Sequence, residues 1–189
     1  MHTQALSELL FFGTVPGMNK DIRYYLQLWR KRFSQPRAVR WHDGWLENDY
    51  CPDCRYCCGP QDSPEPYPMA LLPEQLRPQN CEDFYMADSH TAYLDQRGCK
   101  ACGSSGCRLE RRWRPLACGL FPIVPASNGL YLYKTCPAVL LLPLALWLDL
   151  GLAVARHLQT LSPKSRQHIS LCLTPEKLAD SFISLHTAL

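Results

Sequence analysis

Residues 51–58 read CPDCRYCC, and residues 98–123 read GCKACGSSGCRLERRWRPLACGLFPI. Together with Cys136, these two stretches hold nine of the 11 cysteines in this chain of 189 residues. Such a density is far above average usage. We therefore expect the cysteines, rather than an apolar repeat, to organise the middle of the protein.

A secreted disulfide scaffold is the first explanation to weigh, because small secreted domains are often rich in cysteine. The odd number of cysteines would leave at least one thiol unpaired. The N-terminus, MHTQALSELLFFGTVPG, has no basic residue before its short apolar run, so it is a poor signal peptide. These features favour metal ligation over disulfides and predict a cytoplasmic protein.

The motif CPDCRYCC has the spacing of a metal site. Two-residue spacers between Cys51, Cys54 and Cys57 let thiolates converge on one tetrahedral zinc ion, or hold three corners of a [4Fe–4S] cluster. Cys58 fits a single mononuclear ion poorly, because adjacent side chains tend to diverge. It therefore indicates two different metals, a bridging thiolate, or one ligand beside one spectator.

The second stretch adds another pair with a two-residue spacer, Cys99 and Cys102, followed by further cysteines. Glycines in this stretch relax the backbone where it has to wrap around a metal. The predicted metal ligands are Cys51, Cys54, Cys57, Cys58, Cys99, Cys102, Cys107, Cys118 and Cys136. We expect Cys81 and Cys172 to be bystanders, and His42 and His90 to be weaker candidates.

Charge is distributed in blocks that the net charge of +3 conceals. Residues 20–40 are basic, residues 47–95 are acidic, and residues 97–114 are basic again. Blocks of opposite sign are expected to pair within the fold, and a basic partner-binding face is the alternative. The arginines of RLERRWR, residues 108–114, are also placed to offset the negative charge of metal thiolates.

These motifs together resemble the YkgJ-like cysteine cluster family, which is known by a CxxCxxCC motif and described as a zinc- or iron-chelating domain. The family segment R-P-x-x-C-x-x-F-P is matched by residues 114–122, although Gly119 stands where an arginine is common. The resemblance covers about residues 51–137. It implies eight metal-binding cysteines, namely Cys51, Cys54, Cys57, Cys58, one of Cys99 or Cys102, Cys107, Cys118 and Cys136.

The organisation predicted from the sequence is a single domain of small, irregular α+β class. A helical N-terminal segment (residues 1–46) and a helical C-terminal segment (residues 138–189) enclose a loop-rich cysteine-cluster core (residues 47–137). The sixteen prolines argue against a simple helical bundle. Only one short β-hairpin is expected in the core.

Particular elements follow from local patterns. Apolar residues at helical spacing predict a helix between Asn19 and Phe33. Short strands are predicted at Leu116–Val124 and Leu130–Lys134, joined by a turn at Asn128–Gly129. Ser162–Pro163 and Thr174–Pro175 each predict a helix start, so two or three C-terminal helices are expected.

The stretch AVLLLPLALWLDLGLAVA, residues 138–155, is close to the minimum length for a membrane span. Asp149 and Pro143 lie inside it, and an aspartate is costly near the centre of a bilayer. We therefore expect a buried core helix that begins near Pro143, and no membrane partner.

The function that these patterns predict is metal binding, with zinc and iron–sulfur as the two rival centres. One alternative is an iron–sulfur redox or protein-modifying enzyme, because some larger flagellin lysine methylases are similar in their cysteine motif. A second alternative is a zinc module that binds a protein partner or, less favourably, nucleic acid. No nucleotide-binding loop, zinc-protease motif or nucleophile elbow is present in the sequence.

Overall fold

The computed structural model describes residues 37–54, 57–59, 66–103, 106–172 and 182–185, without the side chains of residue 53 and residues 170–172. The described residues belong to a compact unit that spans residues 37–189. The helix predicted between Asn19 and Phe33 and the predicted helix start at Thr174–Pro175 lie outside the described residues.

Short antiparallel strands account for much of the described chain. They form the two-stranded sheets β1–β2 and β6–β7, and three-stranded sheets in the orders β3–β5–β4 and β10–β9–β8. Their bounds are β1 Val39–His42, β2 Trp45–Asn48, β3 Tyr67–Ala70, β4 Tyr85–Met86, β5 Thr91–Leu94, β6 Cys102–Gly103, β7 Gly106–Cys107, β8 Ile123–Ala126, β9 Gly129–Tyr133 and β10 Phe182–Ser184.

This architecture corrects the predicted fold class of helical ends around a loop-rich core with one hairpin. The described residues contain ten strands in four small antiparallel sheets, and few helices. The physical reason is strand length. Strands of two to five residues are too short to show a period of two in the sequence, so the middle of the chain looked irregular.

The hairpin β8–β9 occurs where one was predicted, with two changes. Ala126 pairs with Gly129, so the two turn residues are Ser127 and Asn128, one position earlier than predicted. The segment Leu116–Leu120 is a short helix rather than the start of a strand. Leu116 and Leu120 lie four residues apart, and both are buried on one face of that helix.

The helices are mostly single turns, apart from two near the C-terminal end. Their bounds are α1 Cys51–Cys54, α2 Asn80–Asp83, α3 Leu116–Leu120, α4 Pro137–Leu141, α5 Leu144–Thr160 and α6 Pro163–Cys172. The predicted start of α6 is confirmed, because the Ser165 backbone N–H donates to Ser162 Oγ at 3.1 Å. No helix in the described ranges is both long and apolar enough to cross a membrane.

The long helix α5 begins directly after Pro143, as predicted, but it is buried on one face only. Trp147, Val154 and Leu158 point into the core. Leu144, Leu148 and Leu152 recur every fourth residue on a neighbouring face, and each is about half exposed. The prediction of a core helix is therefore correct for one side of α5 and wrong for the other.

Buried apolar side chains form two main clusters. Both contact the cysteine region, by which we mean the described residues of the two cysteine-rich stretches together with Cys136. We call the larger one the α5 core. It joins α5 to the β1–β2 hairpin and to β8–β9, and it includes Cys136. We call the smaller one the β5 core. It is built from Met69, Phe84, Ala92, Ala101 and their neighbours.

Candidate metal centre

Cys102 and Cys107 are held opposite each other by the smallest sheet. They are direct partners across β6 and β7. The turn that precedes β6 is closed by the Cys102 N–H, which donates to the Cys99 carbonyl at 3.1 Å. Gly106 has a φ of 101°, a value that a residue with a side chain rarely adopts, so glycine is suited to this position. The glycine-rich sequence therefore folds back tightly enough to bring three thiols into one region.

Cys118 joins the same region from α3. Its backbone N–H donates to the Pro115 carbonyl at 2.9 Å, which fixes the first turn of that helix. Cys118, Cys99 and Cys107 are all partly buried and pack against the β5 core. Burial raises the pKa of the Cys118 thiol well above its ordinary value of 9.0, and neighbouring Cys58, Cys99 and Cys107 add to the effect.

The CPDCRYCC motif reaches this region through its last cysteine. Cys51 and Cys54 begin and end the single-turn helix α1, and Cys57 and Cys58 lie in the turn beyond it. The Cys99 N–H donates to the Cys58 carbonyl at 2.9 Å. This main-chain bond joins the two cysteine-rich stretches directly.

Cys136 enters from the α5 core and is the most deeply buried of the described cysteines. Its carbonyl accepts the N–H of Val139 at 2.9 Å and of Leu140 at 3.2 Å, so the residue is fixed as the N-cap of α4. Burial raises the pKa of its thiol to about 12, and Cys54 lies close enough to contribute. The last cysteine of the pattern therefore meets the first ones.

Cys58 differs from the other thiols in its charge state. The thiols of Cys57 and Cys102 both donate hydrogen bonds to its sulfur, and the first of these does most to lower the pKa of Cys58, to about 7. The pKa of Cys57, the donor, is raised well above 9.0 as a result. Desolvation raises the pKa of Cys51 and, to about 11, that of Cys99. The cluster without metal is thus mostly neutral thiol, with a thiolate favoured at Cys58.

Arg114 is the cation that faces the thiols. Its guanidinium lowers the pKa of Cys51, Cys58 and Cys118, although other effects are larger at each. Its Nε donates to the Leu109 carbonyl at 2.9 Å, and its own carbonyl accepts Gln75 Nε2 at 2.6 Å. Arg114 is therefore the arginine of this run that lies near enough to the thiols to favour their charged forms.

The other arginines of residues 108–114 pair with carboxylates. Arg108 Nη2 lies 2.8 Å from Oδ1 of the buried Asp83, which also bonds Arg77. Arg111 Nη2 lies 2.8 Å from Glu47 Oε1. These contacts join the second basic block to the acidic block, so the predicted pairing between blocks is confirmed for these residues.

Trp45, in β2, explains the glycine at position 119 and was missed from the sequence. A Cβ built on Gly119 would lie 2.6 Å from the Trp45 ring, so no other residue fits without movement. The guanidiniums of Arg111 and Arg114 lie 5.3 and 5.6 Å from the centre of the same ring. The indole thus fills the space above α3 and contacts the arginine that faces the thiols. In the sequence, the only indication of this contact was the glycine at position 119, where the family commonly has an arginine.

The weaker candidates lie elsewhere. Cys81 is exposed, and its carbonyl accepts Lys100 Nζ at 3.0 Å. His42 lies 3.4 Å from Asp43, and His90 lies 2.7 Å from Ser89 Oγ, both at the surface. The side chain of Cys172 lies outside the described residues.

Thiols such as these nine are the ligands that zinc and iron–sulfur clusters prefer, but in the structure they are not arranged as a complete metal site. Each of the nine predicted ligands interacts with at least one other cysteine. Within the described residues, however, no three His, Cys, Asp or Glu side chains are set as a group that could hold a metal ion. Metal binding at this cluster therefore requires the thiols to move closer together and to lose protons.

Comparison with known proteins adds no homologue to this geometry, because no protein-family model, curated protein or solved structure matches the chain. The resemblance to the YkgJ-like family consequently rests on its motif residues alone.

Proposed function

We propose that this protein binds metal through its clustered cysteine thiolates, holding zinc or an iron–sulfur cluster as a centre that also stabilises the fold. The observation that carries the proposal is the convergence of nine cysteines. They come from α1, the following turn, the Cys99 turn, β6, β7, α3 and the start of α4. They interact with one another, while Cys81, which the motifs excluded, lies exposed on α2.

The chemistry of the cluster supports the proposal. Buried neutral thiols make only weak hydrogen bonds, so their convergence alone contributes little to stability. A bound Zn²⁺ or iron–sulfur core would displace their protons and form strong bonds to sulfur. Four thiolates around either centre leave a charge of −2, and Arg114 is placed to offset part of it.

The proposal also accounts for the short elements around the cysteines. The strands β6 and β7 have two residues each, and α1 has four. Elements this short cannot be stable by themselves. Ligand bonds would hold them together in place of a large apolar core.

The test is elemental analysis and absorption spectroscopy of protein purified without oxygen. We expect stoichiometric zinc in a colourless protein, or iron with a visible absorption band that bleaches on reduction. The variant C118S should lose metal, whereas the matched control C81S should retain it, because Cys81 lies outside the cluster. Absence of both zinc and iron from the wild-type protein would refute the proposal.

A further inference from the structure

The thiols of the cluster fall into two groups. We call Cys51, Cys54, Cys57 and Cys136 the first group. Cys51 interacts most strongly with Cys136 and Cys54 and less with Cys58. Cys57 interacts with Cys51 and Cys54 as well as with its neighbour Cys58, and Cys136 interacts with Cys54.

The second group consists of Cys99, Cys102, Cys107 and Cys118. Cys99 interacts with Cys102 and Cys107, and Cys118 interacts with Cys99 and Cys107. Cys102 and Cys107 face each other across the β6–β7 sheet.

Packing separates the groups in the same way. Cys136 is buried within the α5 core. Cys99, Cys107 and Cys118 pack instead against the β5 core. One thiol of the first group and three thiols of the second thus lie against different apolar clusters, which is the arrangement expected of two centres rather than one.

Cys57 and Cys58 lie at the junction. The Cys58 main chain bonds that of Cys99, and the Cys58 sulfur accepts a hydrogen bond from the Cys102 thiol. These contacts place Cys58 with the second group. Its neighbour Cys57 stays with Cys51 and Cys54, although its thiol also donates to Cys58. Of these two adjacent residues, Cys57 thus belongs with the first group and Cys58 with the second.

Building on the proposed function, we propose that the cluster holds two separate metal ions, with Cys57 and Cys58 ligating different ones. The first ion takes the four thiolates of the first group. The second takes Cys58, Cys107, Cys118 and one of Cys99 or Cys102. Each set then has the four sulfur ligands of a structural zinc site.

This division also accounts for the number of cysteines. A single four-coordinate ion or one cubane cluster would leave five of the nine thiols unused. Two four-coordinate ions use eight. The one remaining thiol belongs to the Cys99–Cys102 pair, where the turn before β6 presents two candidates three residues apart.

The experiment compares metal content among variants of the full chain, purified without oxygen and loaded with zinc. We expect two zinc ions in the wild-type protein and in C81S. One zinc is expected in C136S, in which the second group is intact. One is also expected in C107S/C118S, in which the first group is intact; two substitutions are needed because the spare thiol of the Cys99–Cys102 pair can replace a single lost ligand. C102S should keep two zinc ions and C58S/C102S one, because the spare thiol is then absent, and C136S/C107S/C118S should keep none.

A second measurement does not depend on the folding of variants. A chromogenic chelator added in steps to the wild-type protein should remove the two zinc ions in two phases, because thiols of the two groups lie against different apolar clusters. Cobalt(II) titration, followed by its thiolate absorption bands, should likewise saturate at two equivalents.

The outcomes separate this inference from the proposed function. Wild-type protein without metal would overturn both. One zinc per chain, or a single iron–sulfur cluster, would leave metal binding standing and overturn the two-ion division. Loss of both ions from folded C136S or C107S/C118S, or a single release phase in the wild-type protein, would also overturn the division.

Discussion

The α5 core and the cysteine region show two ways of holding a chain together. The α5 core has a helix of 17 residues and fully buried large side chains such as Trp147 and Leu132. The cysteine region has elements of two to five residues and thiols that range from exposed at Cys51 to buried at Cys136. Apolar burial stabilises the first region by itself. The second has too little apolar area around its short elements, so under the proposed function metal–sulfur bonds replace it.

Metal removal should separate the two regions most clearly. Structural zinc contributes about 10–16 kcal/mol in zinc-finger peptides at neutral pH, more than any single side chain contributes. We expect a chelator to abolish amide hydrogen-exchange protection in β6 and β7 while α5 keeps most of its protection. Mass spectrometry of peptides from the two regions measures this. Equal loss of protection in both would show that the α5 core is not independent.

Where metal removal tests the cysteine region, a substitution at Trp147 tests the α5 core. Trp147 is fully buried, so W147A should lower the free energy of unfolding by about 3–5 kcal/mol in denaturant titrations. Its indole N–H has no hydrogen-bond partner, so the matched variant W147F removes an unsatisfied donor and should cost much less. We expect the folded fraction of W147A to bind the same amount of metal as the wild type.

The packing between the regions is tested at Gly119. A methyl group there meets the Trp45 ring at 2.6 Å, so G119A should cost about 1–3 kcal/mol through overpacking. G103A is the control, because its new methyl would lie 3.8 Å from the nearest atom. Thermal melting compares the two variants. If W45A fails to relieve the cost of G119A in the double variant, the assigned contact is wrong.

The smallest effect concerns the thiolate at Cys58. Its pKa of about 7 predicts that alkylation of metal-free protein slows about tenfold for each pH unit below 7 and levels off above it. Arg114 is the weakest of the influences that lower this pKa, so R114Q should move the midpoint to slightly higher pH. Peptide mass spectrometry measures the rates. A midpoint near pH 9 in the wild type would contradict the assigned hydrogen bonds.

The clustering of the cysteines could be predicted from the sequence more accurately than the fold around them. Spacing and the family resemblance predicted a set of nine cysteines that the structure brings into one region, and the resemblance left out Cys81, which is exposed. The glycines and the R-P-x-x-C segment were informative because they occur at sharp turns. Which thiol contacts which could not be predicted, because it depends on two cores that are distant in sequence.

The strands were harder to predict for a definite physical reason. Asp43–Gly44 is a good two-residue hairpin signal, and both residues have positive φ in the β1–β2 turn. The flanking strands have four residues each, too few to show an alternating pattern, so residues 1–46 were predicted to be helical instead. The role of Trp45 was equally hidden, because a close contact with Gly119 arises only after α3 and β2 have packed together.

The position of Cys136 has a consequence for how the protein is made. Synthesis proceeds at about 5–20 residues per second, so several seconds separate the appearance of Cys51 from that of Cys136. The first group is therefore begun first and completed last, after every thiol of the second group has emerged. During that interval Cys51, Cys54 and Cys57 have no Cys136 to meet, and thiols in this state are open to oxidation. Under the proposed function, the thiols of the first group would need a reducing environment until Cys136 is available to complete their metal site.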